Sequence, residues 1–232
     1  VNNDLVSELP ETYEATMQLA ADLTTADTFG FMYDINNFYF SYGWIHTWGG
    51  YVFGRDAAGG LNPADIGLAN EGAVAGGQAL HDLRFALGLI PSGTNYDVAN
   101  GLFVDGALGM IYTGPWAISQ YQEVGLDVSV HPVPALADGT PFSGFMGVQG
   151  VLVNSFSDLK VEAANFSKWL SRKDAQVSLA RLSGRIPAST SALAEVGDDP
   201  IIGGFGAALI HAEPMPNIPE MGAVWSPLGN AL

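Results

Sequence analysis

The stretch ALGMIYTGPWAISQYQEVGLDVSVHPV, residues 107–133, decides the fold class, because it alternates between the patterns of a strand and a helix. Residues 107–112 are an apolar run of strand length, and Gly114-Pro115 ends it. Residues 116–124 then have the pattern of a helix, and residues 127–133 predict a second strand. Strand, helix and strand in this order indicate an α/β protein with a largely parallel sheet.

The rest of the chain continues this alternation. A first helix opens at Pro10-Glu11-Thr12, and a long helix is predicted to carry Leu80, Leu83 and Leu87 on one stripe. Further strands are predicted at 29–33 and 146–153, and further helices at 38–49, 69–89, 95–104, 158–171, 173–183, 198–212 and 219–232. The whole chain therefore has the pattern of an α/β protein.

Composition excludes several classes of protein. The 232 residues carry a net charge of −16, with 8 lysines and arginines against 24 acidic residues. A general nucleic-acid binder is excluded because it needs clustered basic residues. The same charge balance argues against an electrostatic anchor on an anionic membrane. The absence of cysteine excludes disulfides, thiolate metal sites and cysteine nucleophiles. No apolar run approaches the ~20 residues of a membrane-spanning helix.

Charge is distributed unevenly along the chain. Residues 1–159 hold 17 acidic residues against Arg55 and Arg84, a balance of −15. Residues 160–187 hold six basic residues against two acidic ones, a balance of +4. Such a change of sign suggests that this segment lies on a different surface or in a different lobe, although a basic helix face without special purpose is the alternative.

The motifs of common enzymes are missing. The four histidines are dispersed without the spacing of a zinc site, and the chain has neither a G-x-S-x-G elbow nor a Walker A motif. Adjacent acids at Asp198-Asp199 fit the start of a helix better than glycosidase chemistry. We therefore expect no catalytic residue, no metal and no cofactor.

The most distinctive remaining feature is a concentration of aromatic residues. Six lie within eleven positions, and two tryptophans lie further along: Phe38, Tyr39, Phe40, Tyr42, Trp44, Trp48, Trp116 and Trp225. Sugars present flat C–H faces that stack on aromatic rings, and Asp34, Asn36 and Asn37 could bind their hydroxyl groups. The alternative is core packing, since residues 40, 44 and 48 have helical spacing.

Several strings of residues carry a family resemblance. The tail reads Glu213-Pro214-Met215-Pro216-Asn217-Ile218-Pro219-Glu220-Met221, followed by Ala223-Val224-Trp225. Earlier pieces occur in the same order: Asn2-x-Asp4-Leu5, Phe38-Tyr39-Phe40 with Gly49-Gly50-Tyr51, Asn95-Tyr96-Asp97, and Thr113-Gly114-Pro115-Trp116-Ala117. Together they resemble the maltose/maltodextrin-binding protein family, the solute-binding components of carbohydrate ABC importers.

The resemblance implies a periplasmic-binding-protein-like fold of two lobes, of class II, with strands crossing at a hinge. Residues 1–143 would begin the second, sugar-stacking lobe, and residues 200–232 would supply its closing helices. Residues 144–199 would form a hinge strand and an excursion into the first lobe, which includes the positive segment. The resemblance also implies a fragment that lacks an N-terminal segment and the last C-terminal helices.

The resemblance also implies particular site residues. Tyr39 and Phe40 match positions that pack on sugar rings, and Trp116 and Trp225 match two stacking tryptophans. Asn37 stands where the family has a sugar-binding carboxylate. Ser226 stands where it has a tyrosine, and a glycine replaces an arginine one turn later. These departures put the identity of the sugar in doubt.

The expected function is binding of maltose or maltodextrin-type oligosaccharides in a cleft between lobes, without turnover. The implied partners are an oligosaccharide and the membrane permease subunits of an ABC importer, with no nucleic acid, and the protein would be a monomer. Its expected location is extracytoplasmic, periplasmic or at the cell surface, free or lipid-anchored. Two alternatives remain: a binding protein for another disaccharide or glycoside, and a glycoside-acting enzyme.

Overall fold

The computed structural model describes all residues, Val1–Leu232, and is an α/β structure. Its helices and strands, in chain order, are α1 (Tyr13–Leu23), β1 (Phe29–Met32), α2 (Phe38–Thr47), β2 (Gly54–Arg55), β3 (Leu61–Asn62), α3 (Glu71–His81), α4 (Tyr96–Val104), β4 (Leu108–Ile111), α5 (Ile118–Glu123), β5 (Phe145–Met146), α6 (Lys160–Leu170), α7 (Lys173–Ser183), α8 (Thr190–Val196), α9 (Pro200–Leu209), β6 (Glu213–Pro214) and α10 (Trp225–Ala231). None of these helices is long and apolar enough to cross a membrane.

The strands form three pairs rather than one sheet. β1 pairs with β4 in parallel, with Phe31 opposite Met110, and β5 pairs with β6 in parallel. β2 and β3 form an antiparallel hairpin that the sequence pattern did not indicate. The predicted parallel pairing is therefore confirmed for two of the three pairs, and the strands are divided among three two-stranded sheets.

The predicted strand at 127–133 is wrong, since it is reduced to one antiparallel bridge between Asn2 and Val128. The N–H of Asn3 donates to the carbonyl of Asp127, and the N–H of Ser129 donates to that of Val1. The chain then turns, because the N–H groups of residues 5 and 6 donate back to the carbonyl of residue 2. No extended partner lies opposite residues 130–133, and a strand needs such a partner.

The predicted strand at 146–153 ends after Met146. The following residues form neither helix nor strand, and Leu152 is 96% exposed. The residues after Met146 are apolar enough for a strand, but no segment of the chain pairs with them.

The predicted helix at 69–89 is shorter and changes type. α3 ends at His81 and continues as a π-helical turn, Asp82–Ala86, which the N–H of Leu87 closes by donating to the carbonyl of Asp82. Leu80 and Leu83 are buried, which confirms the inward stripe for these two residues.

The main hydrophobic core surrounds α2. Trp44 is fully buried (0% exposed), stacks on Tyr33 with ring centroids 4.6 Å apart, and donates its indole N–H to the hydroxyl of Tyr13 at 2.8 Å. Phe40 is only 8% exposed. Core packing is therefore the correct interpretation of the helical spacing at residues 40 and 44.

Two smaller cores complete the structure. One joins α4, β4 and α5 around Phe103 and Tyr121. The other joins α7, α8 and α9 around Val177 and Ile202, and α8 itself was not predicted from the sequence. α9 links the two cores, because its other apolar residues pack on the first of them.

Candidate functional site

The start of α2 positions the first group of candidate residues. Asn37 is the N-cap of this helix, and its side-chain oxygen accepts a hydrogen bond from the N–H of Tyr39 at 3.1 Å. The cap fixes the first turn, so that Tyr39 is half-buried at the protein surface while Phe38 and Phe40 point into the core. Asn37 is exposed, and one lone pair of its amide oxygen is already used by the cap.

Trp116 lies on a short 3-10 turn, Pro115–Ala117, directly after β4. Proline at the first position of this turn has the backbone angle that the turn requires. The indole is 54% exposed and donates its N–H to the hydroxyl of Tyr96 at 3.0 Å. Trp116 is therefore an exposed ring whose N–H edge is held by a hydrogen bond to Tyr96.

Trp225 begins α10, which follows a 3-10 turn at Pro219–Ala223. Its half-buried ring packs edge-on against Phe38 and Phe145, with centroids 6.1 and 6.3 Å apart. Ser226 follows it and is exposed. The tail string of prolines thus brings a second tryptophan onto the N-terminal end of α2.

These residues form one continuous row of rings. The centroid of Trp116 lies 6.3 Å from that of Phe40, and the centroid of Phe40 lies 5.4 Å from that of Tyr39. Tyr39 lies 6.1 Å from Phe145, which in turn contacts Trp225. We call these five residues the aromatic surface. It joins four predicted residues that are up to 186 positions apart in the sequence, from Tyr39 to Trp225.

Two residues that sequence reasoning did not select lie here: Phe145 within the aromatic surface and Tyr96 beside it. Tyr96 holds the edge of Trp116 and stacks on Phe40, with centroids 6.4 Å apart. Tyr96 belongs to the string Asn95-Tyr96-Asp97, which contributes to the family resemblance, but the resemblance assigns it no function here. Phe145, in β5, connects the two halves of the row, and no motif marked it.

Polar groups lie beside the rings. Burial raises the pKa of the Asp34 carboxyl above its usual range, although hydrogen bonds from Asn37 and from the backbone of Tyr96 oppose this effect. Burial also raises the pKa of the Tyr39 hydroxyl, so that it stays protonated and can both donate and accept. The site thus offers flat apolar faces bordered by hydroxyl, amide and carboxyl groups.

Substitution of Asp34 by asparagine is expected to raise the melting temperature at pH 7. The raised pKa means that the folded state disfavours the carboxylate, so this group stabilises the fold only when protonated. The gain from Asn should disappear below about pH 3.8, where Asp34 is protonated in both states. Thermal unfolding of both proteins across this pH range measures it.

Asp138 provides the matched control, because its pKa is lowered by hydrogen bonds from Thr140. Asp138→Asn should therefore lower the melting temperature at neutral pH, the opposite direction. If the difference in melting temperature between Asp34→Asn and the unsubstituted protein does not change with pH, the surroundings of Asp34 do not disfavour its carboxylate.

The structure offers no metal-binding cluster at this surface. No group of three or more histidine, aspartate or glutamate side chains is arranged to hold a metal ion. His46 has its Nδ1 within hydrogen-bonding distance of the hydroxyl of Tyr42 and the carbonyl of Gly50. Two cavities of about 230 and 340 Å³ lie elsewhere and are lined by none of the six predicted site residues.

Comparisons with known proteins agree with this architecture. Residues 1–203 match the family described as bacterial extracellular solute-binding proteins. The galactooligosaccharide-binding protein of Bacillus subtilis is 31% identical over all of this chain, and the maltooligosaccharide ABC transporter solute-binding lipoprotein of Streptococcus pneumoniae is 29% identical over all of it. The chain spans 56% of the length of each of these relatives.

A solved structure, the Thermus thermophilus maltotriose binding protein bound with maltotriose, superposes with a TM-score of 0.91 at 43% identity. It matches 99% of this chain, which covers 61% of that protein. The α/β fold implied by the resemblance, of the periplasmic-binding-protein type with two lobes, is thereby confirmed, and this chain corresponds to part of it. The chain belongs to the family of bacterial extracellular solute-binding proteins.

Proposed function

We propose that the protein binds maltodextrin-type oligosaccharides on the aromatic surface and releases them unchanged. The observation that carries this proposal is the continuous row of rings between Trp116 and Trp225, in which Trp116 is exposed, Tyr39 and Trp225 are half-buried, and Phe40 and Phe145 lie buried beneath them. The C–H face of a pyranose packs on such rings, and each stack contributes roughly 1 kcal/mol or more.

Asn37, Tyr39, Phe40, Trp116, Trp225 and Ser226 are the proposed sugar-binding residues. Trp116 and Trp225 would stack on successive sugar units, and the hydroxyl of Tyr39 would bind a sugar hydroxyl. Phe40 would support the neighbouring rings from the core side, because it is buried under Trp116 and Tyr96. Asn37 and Ser226 are exposed beside the rings and would supply polar contacts.

Turnover is not part of the proposal. Glycoside hydrolysis needs two carboxyl groups on either side of the bond, about 5–10 Å apart. Asp34 is the best candidate that the sequence offers beside the aromatic residues of α2. We expect no product when a maltodextrin is incubated with the protein. Turnover that Asp34→Ala abolishes would instead establish a glycoside-acting enzyme.

We further propose that residues 1–143 and 200–232 belong to one lobe and that residues 144–199 reach into another. The support is the exposure of apolar side chains in this middle segment: Val148, Val151, Leu152, Phe156, Leu159, Val161, Phe166, Trp169 and Leu182. α6 has no buried residue at all. Such an extended apolar surface indicates an interaction with another part of a protein.

The proposed mechanism is closure of two lobes around the sugar. A ligand shifts an open–closed equilibrium only by its differential affinity for the closed form, so contacts from both lobes are required. The closed form would be recognised by the permease subunits of an ABC importer outside the cytoplasm. The name of the pneumococcal relative, an ABC transporter solute-binding lipoprotein, supports this partner and a lipid anchor. We propose a monomer.

A different oligosaccharide is the second candidate ligand. Ser226 and Gly229 stand where the resemblance implies a tyrosine and an arginine, which removes one aromatic face and one cationic donor. The relative from Bacillus subtilis is named for galactooligosaccharides. The departures at the tail of the chain therefore favour testing galactosides beside glucosides.

A thermal-shift panel on the full-length protein separates these ligands. Maltose, maltotriose, a galactooligosaccharide and cellotriose are added separately, since a ligand of the folded state raises the melting temperature. We expect maltotriose to give the largest shift, equivalent to about 2.7 kcal/mol at a hundred times its Kd. A shift with the galactooligosaccharide alone would replace the proposed ligand, and no shift with any sugar would defeat the proposal.

A further inference from the structure

The ring of Trp116 lies against Gly114. A Cβ atom added to Gly114 would overlap the six-membered ring of Trp116. The ring therefore lies against the backbone of residue 114, and the side chain as a whole is 54% exposed. This backbone contact limits how close the ring can come, but it does not by itself fix the torsions χ1 and χ2 that orient the indole.

Tyr96 supplies the missing constraint. Its hydroxyl accepts the indole N–H of Trp116 at 3.0 Å, which is a well-formed hydrogen bond. Tyr96 is itself fixed: it begins α4, whose N-cap Asn95 accepts from the N–H of Val98, and its ring lies nearly parallel to Phe40, at 10°. The hydrogen bond thus ties an exposed indole to the packed part of the structure.

We propose that Tyr96 is a positioning residue that orients the indole of Trp116 for sugar binding. This inference rests on the proposed function. An exposed tryptophan that is free to rotate must be ordered when a ligand binds, whereas one already held in place avoids that cost. The indole N–H is also satisfied by Tyr96, so Trp116 meets its ligand with the ring face and not with its polar edge.

Tyr96→Phe is the test, because it removes only the hydroxyl and keeps the ring that stacks on Phe40. This chain has five tryptophans. Their indole N–H cross-peaks in the ¹⁵N-labelled full-length protein are assigned with Trp→Phe variants. In Tyr96→Phe we expect the Trp116 cross-peak to move upfield while that of Trp44 stays. Affinity for maltotriose, by calorimetry, should fall roughly three- to tenfold.

Tyr51→Phe is the matched control, since its hydroxyl donates to Asp65 at 2.8 Å away from the aromatic surface. It should change neither the Trp116 cross-peak nor the affinity. As a second variant, Gly114→Ala displaces the ring directly and should weaken binding at least as much as Tyr96→Phe.

Two outcomes would overturn the proposal: an unmoved Trp116 cross-peak in Tyr96→Phe, or a moved cross-peak with the affinity of the unsubstituted protein. Failure of the proposed function has a different signature. In that case the unsubstituted protein gives no heat with maltotriose, while the cross-peak still reports whether Tyr96 holds Trp116.

Discussion

Replacing both Trp116 and Trp225 by alanine is expected to weaken maltotriose binding by the full-length protein about a hundredfold or more. A stack on an indole contributes about 1 kcal/mol beyond the apolar area that it buries. We therefore assign about 1.4 kcal/mol to each ring, a factor of ten in affinity. The two rings stand at opposite ends of the aromatic surface, so their effects should be close to additive.

Calorimetric titration of the two single variants and the double variant measures this effect. Phe85→Ala is the matched control, because Phe85 is also an exposed aromatic residue, but its ring packs against His81 and Arg84 and it lies outside residues 144–199. The control should bind maltotriose like the unsubstituted protein. Full affinity in the double variant would show that the sugar binds elsewhere.

Replacing Trp44 by alanine is expected to lower the free energy of unfolding by about 3–5 kcal/mol. Trp44 is fully buried, and its ring contacts Tyr33, Tyr112 and Phe142. Its removal leaves a cavity and also leaves the hydroxyl of Tyr13 without its donor. Domains are stable by about 5–15 kcal/mol in total, so this loss is a large part of the margin.

Urea unfolding followed by far-ultraviolet circular dichroism gives the value. Trp44→Phe is the graded control: it keeps most of the ring, loses the hydrogen bond to Tyr13, and should cost clearly less than Trp44→Ala. Phe85→Ala should change the unfolding free energy by less than about 0.5 kcal/mol, as expected for an exposed site. Equal stability of Trp44→Ala and Phe85→Ala would contradict the assigned core.

The aromatic stretch of α2 shows how far sequence reasoning reaches. The pattern of this stretch predicts the helix. It also allows two interpretations of the aromatic rings, packing in the core or stacking on a ligand. The sequence could not assign each ring to the core or to the surface, because almost the whole helix is buried. Trp44 lies at the centre of the core, whereas Tyr39 is half-buried at the surface, between the buried rings of Phe38 and Phe40.

The strands were predicted less well than the helices. Phe29–Met32 and Leu108–Ile111 have the expected apolar runs and pair with each other. The runs at 127–133 and 146–153 look the same in sequence but find no partner over most of their length. An apolar run reports that a segment can be a strand, whereas the neighbouring segment decides whether it becomes one.

The site depended on long-range packing that no local pattern encodes. Trp116 and Trp225 were found through motifs, but Phe145, which joins the two halves of the aromatic surface, lies in a two-residue strand without a motif. The role proposed for Tyr96 depends on its hydrogen bond to Trp116, across 20 positions of the chain.

The most direct test of the account is a crystal structure of the full-length protein grown with maltotriose. We predict that pyranose rings lie on the exposed face of Trp116 and on Trp225, with Tyr39 between them and the glycosidic bonds intact. Maltotriose bound away from these rings, or a structure in which both indoles remain without a sugar, would contradict the account.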